Sequence, residues 1–405
     1  MHEPVICAVA RTPVGRYRGA LRGYTATELG ALAVVELLRR VGIEPASGIV
    51  DEVLFGQVLQ TGAGQAPARQ VALAAGLPPA TPCTTINKVC GSSLKAVMIA
   101  ASAIRAGEYA VVVCGGMESM TNAPHFVRDA AKGEDVPFGD LGSVLLHDGL
   151  WDPHNDEHMG STGESVASDH GISRDAADSY SIRSHARALA AWRDGTLDWE
   201  SFPVAGVDRD GNDLDLTRDE GIRTDATVES LAGLRPVFDS DGRVTAGNSS
   251  QVSDGAAAIL VASEAAATAN GWPVLARIID QTTSGLEPAH VMAAPIPAVQ
   301  TLLERNGLAI DDLAVLEHNE AFAAASCAVA QALDVDDSRF NPHGGAVAIG
   351  HPLGATGARL LATTINALRS ADDRADDDPP LGITTLCLGG GNAIAMLIAA
   401  GPDLA

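Results

Sequence analysis

The sequence predicts an α/β fold made of two duplicated units packed face to face, with a long insertion between them. Three observations carry this expectation. Short apolar runs alternate with segments of helical periodicity. The helical segments are rich in Ala and Gly, which suits close packing of helix on helix and helix on sheet. One plan also occurs twice: a loop carrying reactive residues, a small-residue helix, and a strand whose terminal Cys meets adjacent glycines.

In the first unit residues 5–9 read as a strand, 27–41 as an apolar-periodic helix and 52–55 as a second strand. A helical pattern at 66–75 leads into 83–89, followed by a small-residue helix over 91–106 that Gly107 closes. Residues 110–114 form a buried strand ending in Gly115-Gly116. The second unit repeats the scheme. Its strand at 315–318 precedes a helix at 321–333, the glycine-rich run 343–357 enters a helix at 358–369, and 383–387 is a strand before Gly389-Gly390-Gly391. Between the halves, 121–248 changes texture, with many Asp, His and Gly residues and one clear helix at 174–193 capped by Ser173. It reads as an inserted lid. The expected division is therefore 1–120 with 249–270, the insertion 121–248, and 271–405.

Composition narrows the function. A chain of 405 residues buries a large core, and its 46% hydrophobic and 19% charged content is ordinary for a globular protein. The formal charge of −24 argues against nucleic acid or an anionic membrane as partner. Six scattered cysteines without a C-x-x-C pair read as reduced thiols of a cytoplasmic protein, and the N-terminal residues lack a secretory signal pattern. The charge-free stretch 381–402 is long enough to raise a membrane span, but its central glycines favour strand–turn–strand. Scattered histidines, with no H-x₃-H or Cys/His cluster, give no metal site. The acidic run at 372–378 reads as a solvated loop.

Four segments carry candidate chemistry. Cys90, in Asn87-Lys88-Val89-Cys90-Gly91-Ser92-Ser93, starts a helix, where free N–H groups and the helix dipole would lower a thiol pKa. Taken alone, it reads more readily as a buried cysteine in an Ala/Gly-rich helix. His351 stands among so many glycines that a special loop geometry is implied, and an imidazole of near-neutral pKa suits a base for cysteine. Asn319 and Glu320 lie where a strand becomes a helix, and simple capping would also explain them. Cys387 ends a strand before three glycines.

Together these segments closely resemble the thiolase family, in family order over essentially the whole chain. The resemblance implies a five-layer αβαβα fold and reversible acyl transfer between coenzyme A thioesters. It implies Cys90 as the acylated nucleophile, His351 as its base, and Cys387 as a second acid or base. Asn319 would position a water beside the enolate oxygen, and the backbone N–H groups of Cys90 and Gly389 would form an oxyanion hole. Leu150, His158, Met159, Arg223, Ser230, Phe238, Ala246, Ser250, Ala321 and Phe322 fall at positions that line the acyl and CoA tunnel in relatives. No cofactor beyond the acyl-CoA and CoA substrates is implied, and a homodimer or homotetramer is. Acetyl-CoA C-acetyltransferase activity is the leading expectation. A 3-ketoacyl-CoA thiolase of longer or dicarboxylic chains, or a non-catalytic lipid-binding relative, are the alternatives.

Three departures from the family pattern stand out. Ser93 replaces a usual Gly and could alter the pocket floor. Ala393 would be strained if that position needs positive φ. The stretch Met292-Ala293-Ala294-Pro295 is one residue short, which bears on acyl-chain preference.

Only Lys88, Lys95 and Lys132 are lysines, so 24 of the 27 basic residues are Arg. Either base composition or adaptation to high salt accounts for this acidic, Lys-poor surface. Salt adaptation predicts a thermal midpoint that falls as ionic strength drops below about 0.1 M, where the Debye length exceeds about 10 Å. A midpoint independent of salt would leave base composition as the reading.

Overall fold

The computed structural model describes residues 2–128, 137–370 and 379–400; the acidic run at 372–378 lies outside the described residues. In the first half, strands β1 (Pro4–Arg11), β2 (Glu52–Gly56), β3 (Cys83–Ile86) and β4 (Val111–Ser119) alternate with helices α1 (Ala26–Val41), α2 (Pro67–Ala74) and α3 (Ser92–Ala106). The insertion contributes α4 (Met159–Asp169) and α5 (Arg174–Arg193). Then come β5 (Ser253–Ser263), β6 (Ala276–Gly285), α6 (Pro295–Asn306), β7 (Leu313–His318), α7 (Ala323–Leu333), α8 (Thr356–Ser370), β8 (Leu381–Leu388) and β9 (Asn392–Ala400).

The duplication is explicit in the sheet, whose order is β7-β8-β9-β6-β1-β5-β4-β2-β3. In the first half β2 and β4 run parallel, then β4–β5 and β5–β1 antiparallel. The second half repeats this with β7–β8 parallel, then β8–β9 and β9–β6 antiparallel. The two strands that meet at the centre, β1 and β6, each carry one bulge near the start, at Cys7 and at Ile279. The halves are stitched by β1 and β6 over just two residue pairs, Val5↔Arg277 and Ile6↔Ala276.

Three large apolar clusters define the layers. One lies between α1, α2 and the first half-sheet, and another between α6, α7 and the second. The third surrounds α3 and α8, which pack on each other between the two half-sheets. The order is therefore α, β, α, β, α. Helix α3 is long and apolar enough to cross a membrane, but it is mostly buried in this central layer. Residues 381–400 form the expected strand–turn–strand.

Why the central helices come so close is a matter of small residues. A Cβ on Gly357 would lie 2.7 Å from the Cβ and N of Leu94, and one on Gly56 2.6 Å from the Cβ of Ser92. The Ser93 hydroxyl accepts the N–H of Ala358 at 2.9 Å, satisfying a donor in the first turn of α8 from the neighbouring helix. Ser93 is therefore part of the helix–helix seam and fully buried. Strand β4 does not stop at Gly115-Gly116 but continues to Ser119. Those glycines serve close approach instead: a Cβ on Gly115 would sit 2.3 Å from Ala257 O, and one on Gly116 2.0 Å from Gly354 O. Ala393 lies in β9 outside the positive-φ positions, which fall on Gly390 and Gly391, so the anticipated strain is absent.

Gly116→Ala should lower unfolding stability by about 1–3 kcal/mol, because the new methyl meets backbone that cannot step aside. Gly23→Ala, with nothing within 4 Å of the added atom, serves as the control. Denaturant midpoints for the two variants check this.

Candidate active site

Cys90 is delivered by a strained turn. After β3 the chain bends at Val89, whose φ of 47° is a costly left-handed conformation for a β-branched residue. The turn is held by Asn87 Oδ1, which accepts Val89 N–H at 3.0 Å. Ser92 Oγ reinforces it, accepting Lys88 N–H at 2.9 Å and donating to Val89 O at 2.6 Å. Helix α3 begins two residues after Cys90, with Gly91 as its N-cap. A Cβ on Gly91 would lie 2.5 Å from Leu388 Cδ2, so the end of β8 closes directly over the Cys90 turn. There the N–H of Gly389 joins that of Cys90 itself in bonding the sulfur.

The expected lowering of the thiol pKa by the helix end does not win. Burial pushes the Cys90 thiol well above its ordinary value, Cys387 raises it further, and the two N–H groups only partly oppose this. Cys387 is itself buried, its thiol pushed up to about 12, with Sγ 3.6 Å from Met292 Sδ.

His351 is fixed from several sides. Its backbone N–H donates to Gln251 O at 3.1 Å and to Ser253 Oγ at 3.2 Å. Thr356 Oγ1 lies 2.7 Å from Nδ1 and gives its own proton to Pro352 O at 2.9 Å. With that proton committed, Thr356 accepts from Nδ1–H, and the Nε2 lone pair faces the Asn319 amide nitrogen at 3.3 Å. Burial, helped by the Arg359 cation, holds the imidazole pKa down to about 3, not near neutrality as expected from the residue type. Asn319 is no helix cap: α7 starts at Ala323, and Asn319 Oδ1 is buried with no partner.

Two buried carboxylates grip the His351 loop from opposite ends. Glu320 accepts from Tyr180 Oη (2.9 Å), Ser184 Oγ (2.7 Å), Asn341 Nδ2 (3.1 Å) and the N–H of Val347 (3.0 Å). It thus joins the insertion's α5 to the loop ahead of His351. Glu118, at the end of β4, accepts the N–H groups of Val58 and Gly354 at 3.0 Å and of Leu59 at 3.2 Å. Sequence reasoning missed Glu118. Its signal was a charged residue straight after an apolar strand and a Gly pair, where a buried acid needs fixed donors.

Comparison with known proteins decides the family. Residues 4–265 match the family described as "Thiolase, N-terminal domain", and 272–400 match "Thiolase, C-terminal domain". The chain belongs to the thiolase family. It is 45% identical to a "Probable acetyl-CoA acetyltransferase" of Escherichia coli (strain K12), over 98% of this chain and 99% of that protein. It is 44% identical to the "Acetyl-CoA acetyltransferase" of Pseudomonas aeruginosa, over 98% and 100%. A crystal structure of a thiolase from Ascaris suum in complex with coenzyme A superimposes with a TM-score of 0.89 at 36% identity, covering 98% of this chain and 100% of that one. The protein is accordingly an acyltransferase enzyme.

Within this thiolase the expected tunnel residues separate into groups. Leu150 packs in a small apolar cluster with Cys90, Val58, Met120 and Leu353. Met159, Phe238, Ala321 and Phe322 share another with Cys387 and Met292. His158 caps α4 by accepting Gly160 N–H at 2.9 Å and stacks on Phe238 with centroids 4.8 Å apart. Ser250 N–H donates to Ala321 O at 2.9 Å, which lays the 245–250 loop against the segment after Asn319; Ala246 is exposed at its tip. Arg223 and Ser230 lie on the insertion, Arg223 beside His185 of α5 and Ser230 in a capping box with Thr227. Among the described residues neither hydrogen-bonds to Cys90, Asn319, His351 or Cys387.

His185, His318 and His351 are buried, with pKa values held down to about 4, 3 and 3. The unfolded chain binds protons at these sites below pH ~6.5 while the folded one does not, so stability falls from there toward pH 4. His185→Asn keeps an acceptor for Arg223 N–H and removes one titration. It should flatten that fall by up to about 1.4 kcal/mol per pH unit, measured by unfolding across pH 4–7.

Proposed function

We propose that this thiolase is an acetyl-CoA C-acetyltransferase, which joins two acetyl-CoA into acetoacetyl-CoA and CoA and runs in reverse as a thiolase proper. The observation that carries the reading is the convergence of two thiols, Cys90 half-buried and Cys387 buried, with a neutral imidazole lone pair and two backbone N–H groups where the two halves meet. In the first half-reaction His351 Nε2 takes the Cys90 proton as sulfur attacks the thioester carbonyl. The oxyanion forms against the N–H groups of Cys90 and Gly389, worth roughly 3–4 kcal/mol for a donor. CoA leaves as the thiol with the proton of Cys387, so Cys90 is left acetylated, Cys387 as a thiolate and His351 protonated.

In the second half-reaction Cys387 takes an α-proton from a second acetyl-CoA. The enolate oxygen is held by His351 and by a water that Asn319 positions. Its carbon attacks the acetyl thioester, and the departing Cys90 thiolate takes back the proton held by His351. The raised thiol pKa values suit this scheme, since both groups stay protonated until substrate brings a partner for the proton. The Met292 thioether against Cys387 supports a small acyl group over a long one. The acetyl-CoA acetyltransferase names of the relatives, and the CoA bound to the Ascaris suum thiolase, support the substrate class. We also propose a homo-oligomer, for which the free outer edge of β3 supplies an unpaired strand, and a reducing, cytoplasmic setting suited to six unpaired cysteines.

Incubation with acetoacetyl-CoA and CoA should consume the Mg²⁺-enolate absorbance, with rates falling as the acyl chain lengthens. Cys90→Ser should reduce turnover on the order of 10³-fold or more and abolish the acetyl adduct on the 83–95 peptide. A faster rate with longer chains would exclude the acetyl preference. Surviving turnover in the variant would exclude Cys90 as nucleophile.

A further inference from the structure

Glu118 is the only charged side chain on β4, and it is fully buried. Among the described residues no Arg, Lys or His forms an ion pair with it. Its charge is held by backbone dipoles alone: Val58 and Leu59 on the loop after β2, and Gly354, three residues beyond His351. The contact leaves no slack, because a Cβ on Gly354 would lie 2.4 Å from Met117 O and 3.1 Å from Glu118 Oε2. Glu118 also sits close enough to Cys90 to act on its thiol. One carboxylate therefore spans the two halves of the site.

We infer that Glu118 is a positioning residue for acyl transfer: its ionised carboxylate locks the loop after His351 onto the half that carries Cys90, and protonation unlocks it. The inference rests on the acyl-transfer reading above for its kinetic part. An ionised carboxylate can receive three N–H donors at once. Once protonated it must find an acceptor for its own hydrogen, and one backbone donor loses its partner at zero exposure. Burial, with Asp254 adding to it, lifts the Glu118 pKa to about 7. The titratable groups around it are Asp254 on β5, Cys90 ahead of α3 and His351 in the loop it holds; the 57–60 segment brings none.

The test pairs a variant with a measurement on the unaltered protein. Glu118→Gln keeps the size but turns an NH₂ toward backbone N–H groups. Relative to the parent it should lower kcat about 10- to 100-fold, keep KM for CoA within about twofold, and remove the acid limb of kcat near pH 7. A parental acid limb in the variant, or a KM that rises in step with the loss of kcat, would overturn the inference. Should the variant fail to fold, hydrogen–deuterium exchange at the Gly354 amide of the full parent chain decides. Corrected for intrinsic chemistry, protection should fall between pH 8 and pH 6; equal protection at both overturns the inference. Exchange is read without substrate, so failure of the acetyl-transfer reading leaves this arm intact.

Discussion

Everything at the site depends on how closely α3 and α8 approach. Both helices start at the junction of the halves, and both carry a reactive residue just ahead of their first turn. Between the helices Gly357 on Leu94 tolerates no added atom, and Gly56 on Ser92 and Gly116 on the carbonyl of Gly354 fix α3 and the loop ahead of α8 just as closely against strands β2 and β4. Because these contacts involve backbone atoms and Cβ atoms, the two loops are placed by the main chain and not by the far ends of flexible side chains. Ser93 shows how tight the seam is, since its hydroxyl serves as a first-turn partner for the opposite helix.

On that frame the polar chemistry is arranged by burial. Removing thiols and imidazoles from water favours their neutral forms, so Cys90, Cys387 and His351 all shift toward being uncharged. The dipole of a helix end is a weaker influence at this depth. Fixed donors surround the carboxylates Glu118 and Glu320 and give the His351 loop two rigid attachments. Neither carboxylate donates to a reacting group; their work is geometric.

Much of this was legible in the sequence, and the reasons differ by element. The repeated plan of reactive loop, small-residue helix and Cys-terminated strand located both halves, because packing periodicity is a local property. Cys90, Asn319, His351 and Cys387 were readable as motifs and meet where the halves join. The pKa directions of Cys90 and His351 were not, since burial depends on neighbours brought from the far half of the chain. Glu118 was missed for the same reason: its partners lie at 58, 59 and 354, and no local pattern announces them. Gly115 and Gly116 misled at a smaller scale. They read as a strand end, whereas the sheet needs them mid-strand to admit the carbonyls of Ala257 and Gly354.

The place of β5 in the sheet has a consequence for synthesis on the ribosome. It lies between β1 and β4 and pairs with both, yet β4 ends at Ser119 and β5 begins only at Ser253. While the whole insertion is being made, the nascent first half holds two apolar strand edges with no partner, which is the condition that favours intermolecular pairing. The order of elements along the chain thus leaves this half-sheet incomplete until the whole insertion has been made.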